Sequence, residues 1–259
     1  MVTKSALVWS RFYLLTMSLA VFNLGFAGWS FRNYEKESGP SLLTALEQTV
    51  SQQNAPSGAV KQPSQFTNML LALKSNTIVL GSLFIFAYQG SEVSISGWVI
   101  SFLIATRHGN PSAVGYVTAG FWGGITLGRF LLSQPAHKIG EKVFVYGTVI
   151  GAAVFELLAW QVPNIVGDAV AVALVGLLLG PVYPCATVVF SRAIGRKHQV
   201  SSLSVISAFG SSGGAVAPFA TGILAQAVGT FVMHPIAIAL FAVMLVCWYG
   251  LPNTRKRTE

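Results

Sequence analysis

The chain alternates between long apolar runs and short polar breaks, and the length of the runs is the first clue. Segments near residues 8–30, 77–106, 113–134, 143–161, 168–190, 203–227 and 230–250 each hold about 18 or more largely apolar positions, the length needed to cross hydrocarbon as a helix. None shows the two-residue alternation of a half-buried strand, and all are too long for barrel strands, so the pattern predicts helices. The second run is longer than a bilayer requires, which predicts a tilted or broken helix. Most breaks are a few residues long. The exception runs from about Phe31 to Leu73, where "SQQNAPSGAVKQPSQ" is rich in Ser, Gln, Asn and Pro and lacks core-forming residues. The end of that stretch, "FTNMLLALKS", reads as a short interfacial helix. The expected organisation is therefore one transmembrane helix over 1–30, a cytoplasmic linker over 31–75 and a six-helix bundle over 76–259.

Composition reinforces the pattern. Apolar residues make up 53% of 259 positions and charged residues 9%, where a soluble domain carries about 25%. Mean hydropathy is +0.63. The charge is basic, 16 Lys and Arg against 8 Asp and Glu, but the basic residues fall in loops between apolar runs, so membrane topology explains them and a nucleic-acid partner is not implied. With the C-terminal "TRKRTE" placed in the cytoplasm, twelve basic residues lie on that side (Arg32, Lys36, Lys61, Lys74, Lys138, Lys142, Arg192, Arg196, Lys197, Arg255, Lys256 and Arg257). Only Lys4, Arg11 and Arg107 lie outside, with Arg129 inside a span. This topology puts the N-terminus outside against two basic residues, as expected if the first helix is the last of an N-terminal half that precedes it. The N-terminal apolar run is too long for a signal peptide. Cys185 and Cys247 both fall in apolar runs and form no disulfide framework. His108, His137, His198 and His234 are scattered, so no metal is implied. There is no phosphate loop and no nucleophile beside a base. No enzyme chemistry and no cofactor follow.

Candidate chemistry sits in the second run, in "YQGSEVSISGW". At 100° per residue, Tyr88, Gln89, Glu92 and Ser96 share one face, a polar stripe near the expected bilayer midplane, flanked by Gly90 and Gly97. An acid inside a span usually faces a cavity and marks a solute or proton path. The competing reading is a protonated carboxyl bonded to a neighbouring helix. Gly120, Gly124 and Gly128 recur every four residues and suit close helix contact, sliding or static. In "GPVYPC", Pro181 and Pro184 are expected to bend the fifth span, with Tyr183 between them offering a hydroxyl and an aromatic face. Glu156 is expected to pair with Arg107 or His108, and Asp168 and His234 to be solvated at loop edges.

Four stretches, "LKSNTIVLGSLFIFAYQGSEVSISGWVISFL", "GFWGGITLGR", "GLLLGPVYPCATVVFSR" and "FGSSGGAVAPFATGILAQ", resemble the second half of a major facilitator superfamily transporter. They are most similar to the fungal-type fucose/galactose/glucose–proton symporters. The resemblance implies an all-α membrane protein of seven transmembrane helices: the C-terminal six-helix bundle of that fold plus one helix from the N-terminal half. It further implies proton-coupled transport of a sugar or small polar solute between two halves that rock around a cavity. On that basis Glu92, Gln89, Tyr88, Ser96, Tyr183 and Ser212 are the candidate solute- and proton-binding residues, with Phe209 and Ser211 beside Ser212. Gly128, Arg129, Gly140 and Lys142 resemble the superfamily's loop latch; otherwise Arg129 snorkels to headgroups. The implied partners are a sugar or polyol, protons, the lipid bilayer of a plasma or vacuolar membrane, and an N-terminal half or another chain. The alternative is a seven-helix receptor-like or non-transporting membrane protein, against which the uneven loop spacing and the absence of a lysine in the last span both argue.

Overall fold

The structure, a computed structural model, describes residues 10–32, 75–194 and 199–252. The polar stretch between the first and second spans, the interfacial helix expected at its end, Lys4 and the basic C-terminal tail lie outside the described residues. The chain divides into two units, residues 1–62 and 63–259. In the first, α1 (Ser10–Phe31) carries exposed apolar side chains, with the rings of Phe22 and Phe26 stacked 6.4 Å apart.

The second unit is helical throughout its described residues. It comprises α2 (Asn76–Arg107), α3 (Pro111–Ile139), α4 (Glu141–Gln161), α5 (Ile165–Leu179), α6 (Val182–Ala193), α7 (Gln199–Val228), a 3-10 turn (Thr230–Val232) and α8 (Met233–Gly250). Every apolar run thus becomes a helix or, for the fifth, a helix pair. Among the described residues, five spans are long and apolar enough to cross a membrane: Asn76–Arg107, Glu141–Gln161, Ile165–Ala193, Gln199–Val228 and Thr230–Gly250.

Local chemistry sets the boundaries. Asn110 caps α3 by accepting from Ser112 N at 3.0 Å, and Pro111 sits in the first turn, where its missing N–H costs nothing. Asn164 caps α5 through Val166 N and Gly167 N. Gly140 and Gly229 make their turns at φ 109° and 112°, a region that only glycine enters freely. The expected break in α2 does not occur: its 32 residues form one continuous helix. Gly90 is needed for space instead, since a Cβ there would lie 2.9 Å from that of Ala217 on α7. The fifth run does break, at Gly180–Pro181. Pro181 and Pro184 both lack the N–H that would bond the carbonyl four residues back, so the ladder opens between α5 and α6.

The core lies where α2 meets α7 and α8, with Phe84, Phe190 and Trp248 packed ring against ring (Phe84–Trp248 4.7 Å, Phe84–Phe190 6.3 Å). Glycines let backbones touch. A Cβ on Gly124 or Gly128 of α3 would run into the carbonyl of Ala173 or Leu177 on α5; one on Gly176 or Gly180 would run into Phe121 or Ile125 in return. Two glycine pairs four residues apart therefore interlock. Gly210 and Gly213 on α7 do the same against Ile85 and Phe86 of α2.

Charges tie the two ends. At one end Glu141 receives Arg192 Nη1 at 3.1 Å and meets His137 Nδ1 at 3.0 Å, while Lys142 Nζ donates to the carbonyl of Leu251. At the other end Arg107 Nε binds Asp168 at 3.0 Å and its Nη2 reaches the carbonyls of Ala159, Trp160 and Val162. Glu156 pairs with His234 at 2.8 Å, with both side chains fully buried. Three expectations are corrected here. Glu156 does not pair with Arg107 or His108, and Asp168 and His234 are not solvated: they are 1% and 0% exposed. A helix end reads as solvent from the sequence alone, yet here the ends of α4, α5 and α8 bury one another.

Candidate functional site

Glu92 lies sixteen residues from the start of α2 and fifteen from its end, about 22–24 Å from each at 1.5 Å per residue. It is 8% exposed. A cavity of about 360 Å³ opens on its face of the helix, lined by Tyr88, Gln89, Glu92, Val93, Arg129, Tyr183 and Pro184. Three helices build it. The α2 stripe supplies the acid, the amide and one phenol; α3 supplies the guanidinium; the first turn of α6 supplies the second phenol, its ring 5.9 Å from that of Tyr88.

The break at Gly180–Pro181 positions this wall. It starts a new helix at Val182, so Tyr183 and Pro184 occupy the exposed-backbone turn beside α2. Two features make the site electrostatically active. The Arg129 guanidinium shares the cavity wall with the Glu92 carboxyl and the Tyr88 phenol. The Tyr88 ring is buried at 1% exposure, one helical turn before Glu92 on the same wall.

Of the expected binding residues, Glu92, Gln89, Tyr88 and Tyr183 come together on the cavity wall. Ser96 and Ser212 do not. Ser96 Oγ turns back to Val93 O at 3.3 Å, and the exposed Ser212 Oγ turns back to Phe209 O at 2.6 Å. Phe209 packs on Phe86 at 5.8 Å, and Ser211 bonds Ser207 O. The four residues expected to form a latch are spread out as well. Gly128 abuts Leu177, Gly140 caps α3, and Lys142 reaches Leu251, while Arg129 faces Glu92. Sequence reasoning missed Arg129 as a cavity residue because it ended α3 near residue 134. The helix runs to Ile139, ten residues past Arg129, whose side chain lines the cavity beside Glu92. The signal was present: an arginine in an apolar run needs a counter-charge, and Glu92 was the acid available at that depth.

A broken helix, glycine-tight helix pairs and a mid-helix cavity that holds an acid and a guanidinium are thus the features of this bundle. The chain matches the Major Facilitator Superfamily over residues 3–218 and, in an overlapping match, 82–259. The chain belongs to the Major Facilitator Superfamily. This makes it an integral multi-pass membrane protein from a family of transporters and sets aside the receptor-like alternative. Among similar superfamily proteins are Bypass of stop codon protein 6 of Saccharomyces cerevisiae (25% identical, covering 97% of this chain and 53% of that protein) and a Glucose/galactose transporter of Brucella abortus (28%, 69% and 43%). Multidrug resistance protein MdtG of Citrobacter koseri is 30% identical over 55% of this chain and 32% of its own. The chain spans about half the length of the curated relatives it matches.

Proposed function

We propose that this chain supplies the cavity wall of a secondary carrier that moves a sugar or similar hydroxylated solute together with a proton by alternating access. One observation carries the reading: a mid-span acid, Glu92, opens onto a small polar cavity beside Arg129, Gln89 and two phenols. A carboxyl in that position can exchange a proton with a wet passage, and the amide and phenols suit hydroxyl groups. The cavity volume falls in the roughly 300–1,000 Å³ range of small-molecule sites. The similarity to a Glucose/galactose transporter supports a sugar. Multidrug resistance, named for another relative, fits less well, since an acid and a guanidinium suit a polar solute better than an apolar one. Gly140 and Lys142, with the Glu141–Arg192 pair beside them, are assigned to holding one end of the bundle closed, Gly128 to the contact of α3 with α5, and Arg129 to the cavity.

The test is uptake of radiolabelled glucose and galactose into proteoliposomes holding this protein, under an inward proton gradient. Gradient-driven uptake that Glu92→Gln uncouples from protons supports the reading. Coupled uptake undiminished by Glu92→Gln removes Glu92 from the role.

A further inference from the structure

The acids of the bundle are paired in a revealing way. Among the described residues of the bundle, Glu141 has Arg192, Asp168 has Arg107 and Glu156 has His234, each at 2.8–3.1 Å. Glu92 makes no such ion pair among the described residues; the charged group that shares its open cavity is Arg129. No other charged group competes. The described residues of α7 carry no acid or base, and His234 on α8 and Asp168 on α5 belong to the far-end cluster. His137, Lys138 and Arg192 lie at the opposite end. The titratable groups facing Glu92 are therefore Tyr88 on its own helix, Arg129 on α3 and Tyr183 on α6.

Charge balance in that cavity has a consequence. With Glu92 ionised, its charge cancels that of Arg129. When Glu92 takes a proton, the guanidinium on the cavity wall is left without its counter-charge. A neutral sugar cannot relieve it; a carboxylate can. Arg129 offers a forked donor that matches a carboxylate in two bonds, and Tyr88 is a phenol on the same wall that can turn its hydroxyl to the same anion. Tyr183 and Gln89 remain for the hydroxylated part of the solute.

We propose that the solute is a hydroxylated monocarboxylate, a sugar acid, whose carboxylate binds Arg129 and Tyr88 when Glu92 holds a proton. This inference rests on the carrier reading above and narrows its solute class. Proton and solute anion then bind as a neutral pair, and each strengthens the binding of the other, because a coupling free energy is reciprocal.

The experiment is equilibrium binding to the purified chain in nanodiscs of neutral phospholipid, with radiolabelled D-glucuronate and D-galacturonate set against D-glucose and D-galactose, at acidic and at alkaline pH. A pH indicator in weak buffer counts protons taken up. The expected result is uronate binding that tightens in acid, with one proton taken up per uronate bound. Glu92→Gln, which mimics the protonated acid, keeps uronate binding at both pH values and abolishes proton uptake. Arg129→Gln weakens uronate binding by at least about tenfold, a coupling of ordinary size, and Arg129→Lys recovers part of it. Binding of neutral hexose but not uronate overturns this inference and leaves the sugar-carrier reading standing. Binding of neither overturns both. Uronate binding that ignores Arg129→Gln, or that proceeds without proton uptake, also overturns it. Should Arg129→Gln fail to fold, judged by thermal unfolding, the Arg129→Lys and Glu92→Gln results decide.

Discussion

The Glu156–His234 pair gives the sharpest stability prediction. Its Oε1–Nδ1 contact is 2.8 Å, both side chains are fully buried, and Phe102 packs edge-on to the imidazole at 4.4 Å. The remaining atoms, Glu156 Oε2 and His234 Nε2, have no partner. Two magnitudes compete. Polar contacts between membrane helices average only about 0.6 kcal/mol, with a maximum near 1.7 kcal/mol, because the separated helices find other partners. Breaking a buried pair by removing one member costs about 3–5 kcal/mol, because the survivor is left buried and unpaired. The second should win here, since neither group has a water or lipid-headgroup route in the closed bundle. Glu156→Ala and His234→Ala are each expected to destabilise by about 3 kcal/mol or more. The apolar double variant Glu156→Leu/His234→Phe should cost less than either single change, since it strands nothing. The assay is reversible unfolding in mixed micelles with increasing SDS, read by tryptophan fluorescence, over the full double-mutant cycle. Single variants within about 0.5 kcal/mol of wild type, or costs that simply add, would refute the argument that stranding dominates.

Three further outcomes follow from the packing. Gly124→Ala should destabilise by about 1–3 kcal/mol, since its Cβ meets backbone of α5 that cannot yield. Its neighbour Gly123→Ala, with open space around it, should be neutral or stabilising by up to about 1 kcal/mol; the same unfolding assay compares them. Asn164→Ala should cost about 1 kcal/mol by uncapping two amides of α5, read as a lower midpoint in the same titration. Arg107→Met strands the buried Asp168 and frees three carbonyls, so cleavage by protease in the 161–165 turn should become faster, as measured by gel time course. Protection equal to wild type would show that Arg107 does not hold that end.

How the sequence relates to the structure is clearest residue by residue. The polar stripe on α2 was legible because helical period and hydrocarbon length are local properties, and the cavity does open on Tyr88, Gln89 and Glu92. The break at Pro181 was legible in part, since a ring without an N–H opens the helix ladder, but the chain carries Pro135 inside α3 and Pro218 inside α7 without a break. The second glycine pair, Gly176 and Gly180, was equally readable as a four-residue repeat in "GLLLG", yet its contact with Gly124 and Gly128 needed the two helices side by side. Ser96 and Ser212 look no different in sequence from the residues that line the cavity, yet Ser96 lies one turn beyond it on the same face and Ser212, on α7, is not part of its wall.

What the sequence by itself determined, then, is the set of helices, most of their ends, and the presence of an acid at mid-span. Partner choice was left to the tertiary structure. Glu156 finds His234 seventy-eight residues away, Arg107 finds Asp168 sixty-one residues away, and Arg129 finds Glu92. The physical reason is that helix formation is settled by bonds four residues apart, whereas a buried charge is settled by whichever opposite group the packed bundle brings within reach.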